Sequence, residues 1–150
     1  MKRSVPSPPE TTERFTIRVS RDMDGLARLG DWVDQVAESL QLPAKGAFAL
    51  RLCLEEATAN LVMHGVPLRP SEPDVFDIVL DDIGDGLLLA VEDRCVAFDP
   101  LDIEAPEPLV SLETARIGGL GIHLMKQYAR DLAYVSADGV NRLVMTLGRG

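Results

Sequence analysis

A chain of 150 residues with 46% hydrophobic and 26% charged residues is long enough for one buried core and too short for two comfortable domains. Its net charge of −9, from 24 acidic against 15 basic residues, repels phosphate backbones and anionic membrane surfaces. Neither nucleic-acid binding nor membrane adsorption is therefore expected.

The opening Met1-Lys2-Arg3-Ser4-Val5-Pro6-Ser7-Pro8-Pro9 has basic residues but no hydrophobic run behind them. Residues 1–13 read as a disordered, proline-stiffened lead-in, and residues 14–150 as the folded domain. Arg14–Ser20 alternates polar and apolar residues, the period of a half-buried strand. Asp22 or Asp24 then caps a helix whose Leu26, Leu29, Trp32, Val33, Val36 and Leu40 share one face. Leu42-Pro43 ends it.

A second helix runs from about Pro43 or Ala44 to His64, with Gly65 as its C-terminal stop and Leu50, Leu54, Ala57 and Leu61 along one stripe. Two strands follow, Val75–Leu80 and Leu87–Val91, joined by an acidic, glycine-bearing turn at 81–86. From Asp93 to Ile117 no period is visible, and a loop of that length suits a lid or binding loop. A third helix starts after Gly118-Gly119-Leu120-Gly121 and reaches about Arg130. Closing strands at Leu132–Ala137 and Arg142–Leu147 meet at a turn around Asp138-Gly139. The order β-α-α-β-β-loop-α-β-β predicts an α/β two-layer sandwich, with about five mostly antiparallel strands and three helices on one face. The two cysteines make no disulfide framework, and Cys53 reads as a buried thiol. No apolar stretch approaches the ~20 residues of a membrane span, and a cytoplasmic protein is expected.

Three segments carry candidate chemistry. Glu56 and Asn60 stand one helical turn apart, beside the apolar stripe. A carboxylate there can deprotonate a nucleophile, and an amide oxygen suits a hard cation such as Mg²⁺. The same spacing is also common on solvated helix faces. Asp93, directly after an apolar strand, can accept from an adenine amine or simply form a turn. The glycines at 118–121 expose backbone N–H groups to a phosphate, or form a tight turn. They match neither a Walker A loop nor a Rossmann fingerprint.

Taken in order, Glu56-Ala57-Thr58-Ala59-Asn60-Leu61-Val62-Met63-His64-Gly65, then Asp93 with Phe98-Asp99-Pro100, then Gly118-Gly119-Leu120-Gly121-Ile122-His123-Leu124 resemble the N, G1 and G2 boxes of one ATPase superfamily. That superfamily includes gyrase, heat-shock protein 90 and histidine kinases. Gly139-Val140-Asn141-Arg142-Leu143 adds to the likeness, which spans about residues 14–148. The chain is most similar to the anti-sigma-factor serine kinases of bacterial partner-switching systems.

The resemblance implies a Bergerat ATP-binding fold with ATP and Mg²⁺ as ligands. By position it makes Glu56 the general base, Asn60 the Mg²⁺ ligand and Asp93 the adenine-recognising acid. Gly119, Leu120 and Gly121 fall in the phosphate loop, and Arg116 stands where it could reach the γ-phosphate or a partner. His64 and His123 have no companion ligands at metal-binding spacing. The family has glycines where this chain has Cys95 and Ala97, so these two adenine-pocket positions are expected to narrow it and alter nucleotide affinity. The implied activity is phosphorylation of a STAS-type anti-anti-sigma partner. The alternative is a non-catalytic ATP-binding switch that sequesters a sigma factor or another regulator. Homodimers are common among the related kinases.

Overall fold

The computed structural model describes residues 13–99 and 119–150, without the side chains of 119–122. The expected lead-in, most of the long loop and Arg116 lie outside the described residues. Eight elements follow in chain order: β1 (Glu13–Ser20), α1 (Met23–Ser39), α2 (Ala44–His64), β2 (Val75–Asp82), β3 (Gly86–Asp93), α3 (Gly119–Tyr128), β4 (Ala129–Ala137) and β5 (Val140–Gly148). The strands form one sheet in the order β1-β2-β3-β5-β4. The expected sandwich is present, and each strand pairing is antiparallel.

Strand alternation sends one set of side chains inward. Phe76, Ile78 and Leu80 of β2, Leu87, Leu89 and Val91 of β3, and Leu143, Met145 and Leu147 of β5 are buried. They pack against Leu29, Val33 and Val36 of α1, Leu50 and Leu54 of α2, and Met125 of α3. All three helices thus cover the same face.

Asp22, not Asp24, caps α1: its Oδ1 accepts from the Gly25 N–H at 2.8 Å and from Ser20 Oγ at 2.8 Å. At the other end the Gln41 N–H reaches the Glu38 carbonyl and the Leu42 N–H reaches the Ala37 carbonyl, both at 3.0 Å. That is a Schellman closure, and it holds Gln41 at φ 52. Pro43 then caps the start of the next helix, as the sequence allows, and its carbonyl accepts from Ala47 N–H at 2.9 Å.

Two boundaries differ from expectation. Asp81 and Asp82 belong to β2 and not to the turn, because each finds an arginine far away in sequence. Arg14 clasps Asp81 at 2.6 and 3.0 Å, and Arg149 reaches Asp82 at 2.7 Å. The Gly84 N–H, and then Arg149, hold the Asp82 carboxyl below the usual carboxylate range. Arg130 lies in β4, since α3 stops at Tyr128. The last hairpin turns on Asp138 at φ 55 and Gly139 at φ 78, the paired left-handed residues of a type I′ turn. Among the described residues no helix is long and apolar enough to cross a membrane.

Gln41 pays the steric cost of a left-handed backbone that glycine avoids. Gln41→Gly should stabilise the protein by about 0.5–1 kcal/mol and raise Tm by about 2–4 °C, read by thermal denaturation. An unchanged or lower Tm would mean the Gln41 side chain contributes something else.

Candidate functional site

The site begins on α2. Leu50, Leu54 and Ala57 are buried, while Glu56 and Asn60 lie half-buried on its flank. Neighbouring carboxylates meet different fates there. Glu55 is exposed and takes Arg51 Nε at 2.9 Å, with the same guanidinium also holding Asp34 at 2.6 Å. Glu56 has neither a hydrogen bond nor an ion pair among the described residues. Burial, and then the charge of Glu55, push its carboxyl above the ordinary range. The Asn60 amide is likewise without a described partner. A carboxylate with a raised proton affinity and an amide, both unpartnered among the described residues, thus stand one turn apart on one helix.

The C-terminal end of α2 is tied to the segment after β3. Val96 N–H donates to the Val66 carbonyl at 2.7 Å, Leu68 N–H donates to the Arg94 carbonyl at 3.1 Å, and Pro67 bridges Cys95. Gly65 is essential to this approach. A Cβ there would lie 2.5 Å from the Leu61 oxygen, 3.0 Å from Cys95 Sγ and 3.2 Å from an Arg21 nitrogen. Gly65 ends the helix as expected from sequence, and at φ −63 it is close packing, not a left-handed backbone, that calls for glycine here. Arg21 completes the junction. It clasps Asp74 at 2.9 and 2.8 Å and caps the helix by donating to the Leu61 and Val62 carbonyls at 3.2 Å.

Asp93 sits at the end of β3 in a fixed pose. Its Oδ1 accepts from the Cys95 N–H at 2.9 Å and from Asn141 Nδ2 at 2.8 Å, and Oδ2 takes neither. Asn141, on β5, also donates to the Cys95 carbonyl at 2.8 Å, and its own oxygen accepts from Ser136 Oγ at 2.7 Å. Further along, Phe98 N–H donates to the Tyr134 hydroxyl at 3.1 Å. The segment after Asp93 therefore crosses β5 and reaches β4, pinned at each strand.

Cys95 is buried and its sulfur turns toward Gly65. Neither it nor the exposed Ala97 has a positive φ. The backbone thus accepts both side chains at the expected glycine positions, and the cysteine packs against the end of α2. Burial, then the Asp93 charge, push the thiol up to about 11, so it is neutral at ordinary pH.

A model of the histidine kinase-like ATPase domain matches residues 19–147 of this sequence. The chain belongs to that family. It is 31% identical over 115 residues to the serine/threonine-protein kinase BtrW of Bordetella bronchiseptica, covering 77% of this chain and 80% of BtrW. Its fold is similar, with a TM-score of 0.59 at 13% identity, to a crystal structure of the RsbU and RsbW domains of Rv1364c from Mycobacterium tuberculosis. That likeness covers 91% of this chain and 32% of the mycobacterial one, so the chain spans about a third of that structure's length.

Within this ATPase fold, Gly119, Leu120 and Gly121 form the first turn of α3 and do not precede it as expected. The first-turn N–H groups of a helix lack intrahelical acceptors, which suits an anion as well as a glycine loop would. The helix packs against α2, the element bearing Glu56 and Asn60. A separate cleft of about 110 Å³ opens between the 67–75 loop, Arg94 and the Asp138–Val140 turn. It includes none of Glu56, Asn60 and Asp93, and is smaller than the ~300 Å³ at which ligand pockets begin.

Sequence reasoning did not single out Arg21, Tyr134, Ser136 or the tie from Asn141 to Asp93. A signal for Asn141 exists: strand alternation places it in the inward set with Leu143, Met145 and Leu147, where a polar residue needs a partner.

The raised carboxyl of Glu56 has a thermodynamic consequence. The folded state holds this proton more tightly than the unfolded chain, so stability falls as pH rises from the ordinary glutamate value of about 4.3 through the folded one. Glu56→Gln should therefore raise Tm at pH 7, and the advantage should vanish below pH ~4. A variant that melts lower than the parent at pH 7 would contradict the burial argument.

Proposed function

We propose that this chain binds Mg-ATP and transfers its γ-phosphoryl group to a serine of a STAS-type partner. The observation that carries this reading is Glu56: a half-buried carboxylate, unpaired among the described residues, one turn from a free amide. Structural carboxylates elsewhere in the chain are met by arginines, as Asp74, Asp77, Asp81 and Asp82 are. Leaving one bare and partly desolvated on the wall of an ATPase fold costs stability and suits a proton acceptor.

In this reading Glu56 accepts the proton from the serine hydroxyl as the oxygen–phosphorus bond forms and the bond to ADP breaks. Asp93, held by Cys95 N–H and Asn141, keeps Oδ2 for the adenine amine. The oxygen of Asn60 would hold a Mg²⁺, which would neutralise charge on the transferring group. The first turn of α3 supplies N–H groups to the phosphates. BtrW is described as a serine/threonine kinase, and a likeness of this extent supports the same chemistry here.

Incubation with radiolabelled ATP and a purified STAS-domain protein should yield phosphoserine. Glu56→Gln should slow transfer by at least ~100-fold while changing Mg-ATP affinity little. The rate should fall as pH drops through the raised Glu56 value, above that of an ordinary glutamate. Tight nucleotide binding with no phosphoserine at any pH would leave a sequestering switch as the function. A fully active Glu56→Gln would remove this residue from the base role.

A further inference from the structure

The helix that carries Glu56 and Asn60 is held differently at its two ends. Pro43 has no side-chain group with which to cap the first turn of α2. The last turn ends on carbonyls that lack an intrahelical donor, the ordinary state of a helix C-terminus. Arg21 supplies donors there. Its Nη1 donates to the Leu61 and Val62 carbonyls at 3.2 Å, beginning with the residue directly after Asn60. The Leu61 carbonyl also accepts from Gly65 N–H at 2.9 Å, so the guanidinium reaches into the final hydrogen-bonded turn.

That guanidinium is itself aimed. Its Nε and Nη2 clasp Asp74 at 2.9 and 2.8 Å, and the Arg21 N–H donates to the Asp74 carbonyl at 3.0 Å. Residue 21 therefore ties the end of β1 to the chain entering β2 by backbone and side chain alike. The Arg21 side chain is 11% exposed, against 61% and 60% for Arg14 and Arg18, which clasp acids at the surface. Burying a guanidinium costs desolvation that a surface pair avoids, so its place depends on the contacts it makes. A Cβ at Gly65 would lie 3.2 Å from Arg21 Nη1 and 3.0 Å from Cys95 Sγ, so guanidinium and thiol border one space. The Cys95 N–H in turn holds Asp93 Oδ1 at 2.9 Å. One side chain thus stands between the turn of Asn60 and the segment that fixes Asp93.

We propose that Arg21 is a positioning residue for the metal–nucleotide site: held by Asp74, it sets the turn of α2 bearing Asn60 relative to Asp93. This rests on the reading of Asn60 and Asp93 as parts of one Mg-ATP site. Groups that orient a metal ligand without touching the metal govern how tightly the metal is held. Lysine cannot take over the task, because one ammonium nitrogen does not span a carboxylate and two carbonyls as a planar fork does. The effect falls on Mg²⁺, which Asn60 serves. It spares the adenine contact, because Asn141 holds Asp93 from the sheet independently of Arg21.

Calorimetric titration of ATP, once with Mg²⁺ and once with EDTA, into the parent, Arg21→Lys and Asp74→Asn tests the proposal. Arg21→Lys should weaken Mg-ATP binding about 10-fold and leave Mg-free ATP binding within about twofold. Asp74→Asn keeps the guanidinium but unclamps it, and should act in the same direction by a smaller factor. Adding Arg21→Lys to Asn60→Ala should weaken Mg-ATP binding no further, since both act through one oxygen. In the nucleotide-free chain the Gly65 N–H should exchange with solvent at least ~10-fold faster in Arg21→Lys. Equal losses with and without Mg²⁺, full additivity with Asn60→Ala, or unchanged Gly65 exchange would each overturn the positioning role alone. A parent that binds no nucleotide would instead remove the site on which the role rests.

Discussion

Asn141 holds Asp93. One buried amide donates both to that carboxylate and to the Cys95 carbonyl, and it is itself oriented by Ser136. An unpartnered amide or carboxylate at this depth would cost about 1–3 kcal/mol, so the network constrains whatever surrounds it. The end of β3, the segment that follows and the turn between β4 and β5 are fixed relative to one another. The pose of Asp93 is then a property of the sheet and not of a mobile loop.

The second wall of the site is attached to the same point. Cys95 packs against Gly65, and Arg21 caps the helix end that Gly65 terminates. Glu56 and Asn60 ride on that helix at a fixed distance from its anchored end. Cys95 stands at an expected glycine position without opening the junction, because its sulfur fills space against Gly65, and the exposed Ala97 needs no such room. What sets Glu56 apart from the paired carboxylates of the sheet is the absence of an arginine. The fold spends guanidinium groups freely on Asp74, Asp77, Asp81 and Asp82 and leaves Glu56 without one among the described residues.

Much of this was legible in the sequence, for reasons that are local. Period-two and period-3.6 patterns located all five strands and three helices, and Asp138-Gly139 marked its turn because few residues tolerate positive φ. Motif spacing singles out Glu56, Asn60 and Asp93 as candidates, and the structure gives Asp93 its fixed pose and leaves Glu56 half-buried. The misreading at the β2–β3 turn has its cause in contacts distant along the chain. Asp81 and Asp82 look like turn residues until Arg14 and Arg149 are brought beside them. Gly65 ends the second helix as its sequence suggests, and its close packing against Cys95 is the part that a local reading misses. The direction of the Cys95 side chain follows from the bridge between residues 67 and 95, which no short window contains.

The most direct measurement is calorimetric titration of Mg-ATP into the parent chain, Asp93→Asn and Asn60→Ala. If the anchored acid and the helix amide serve one nucleotide, the parent binds with a Kd well below millimolar. Each variant should then bind at least tenfold more weakly, a loss of about 1.4 kcal/mol or more, with little change in Tm. No measurable heat from the parent, or identical affinity in all three, would show that these residues do not form a nucleotide site.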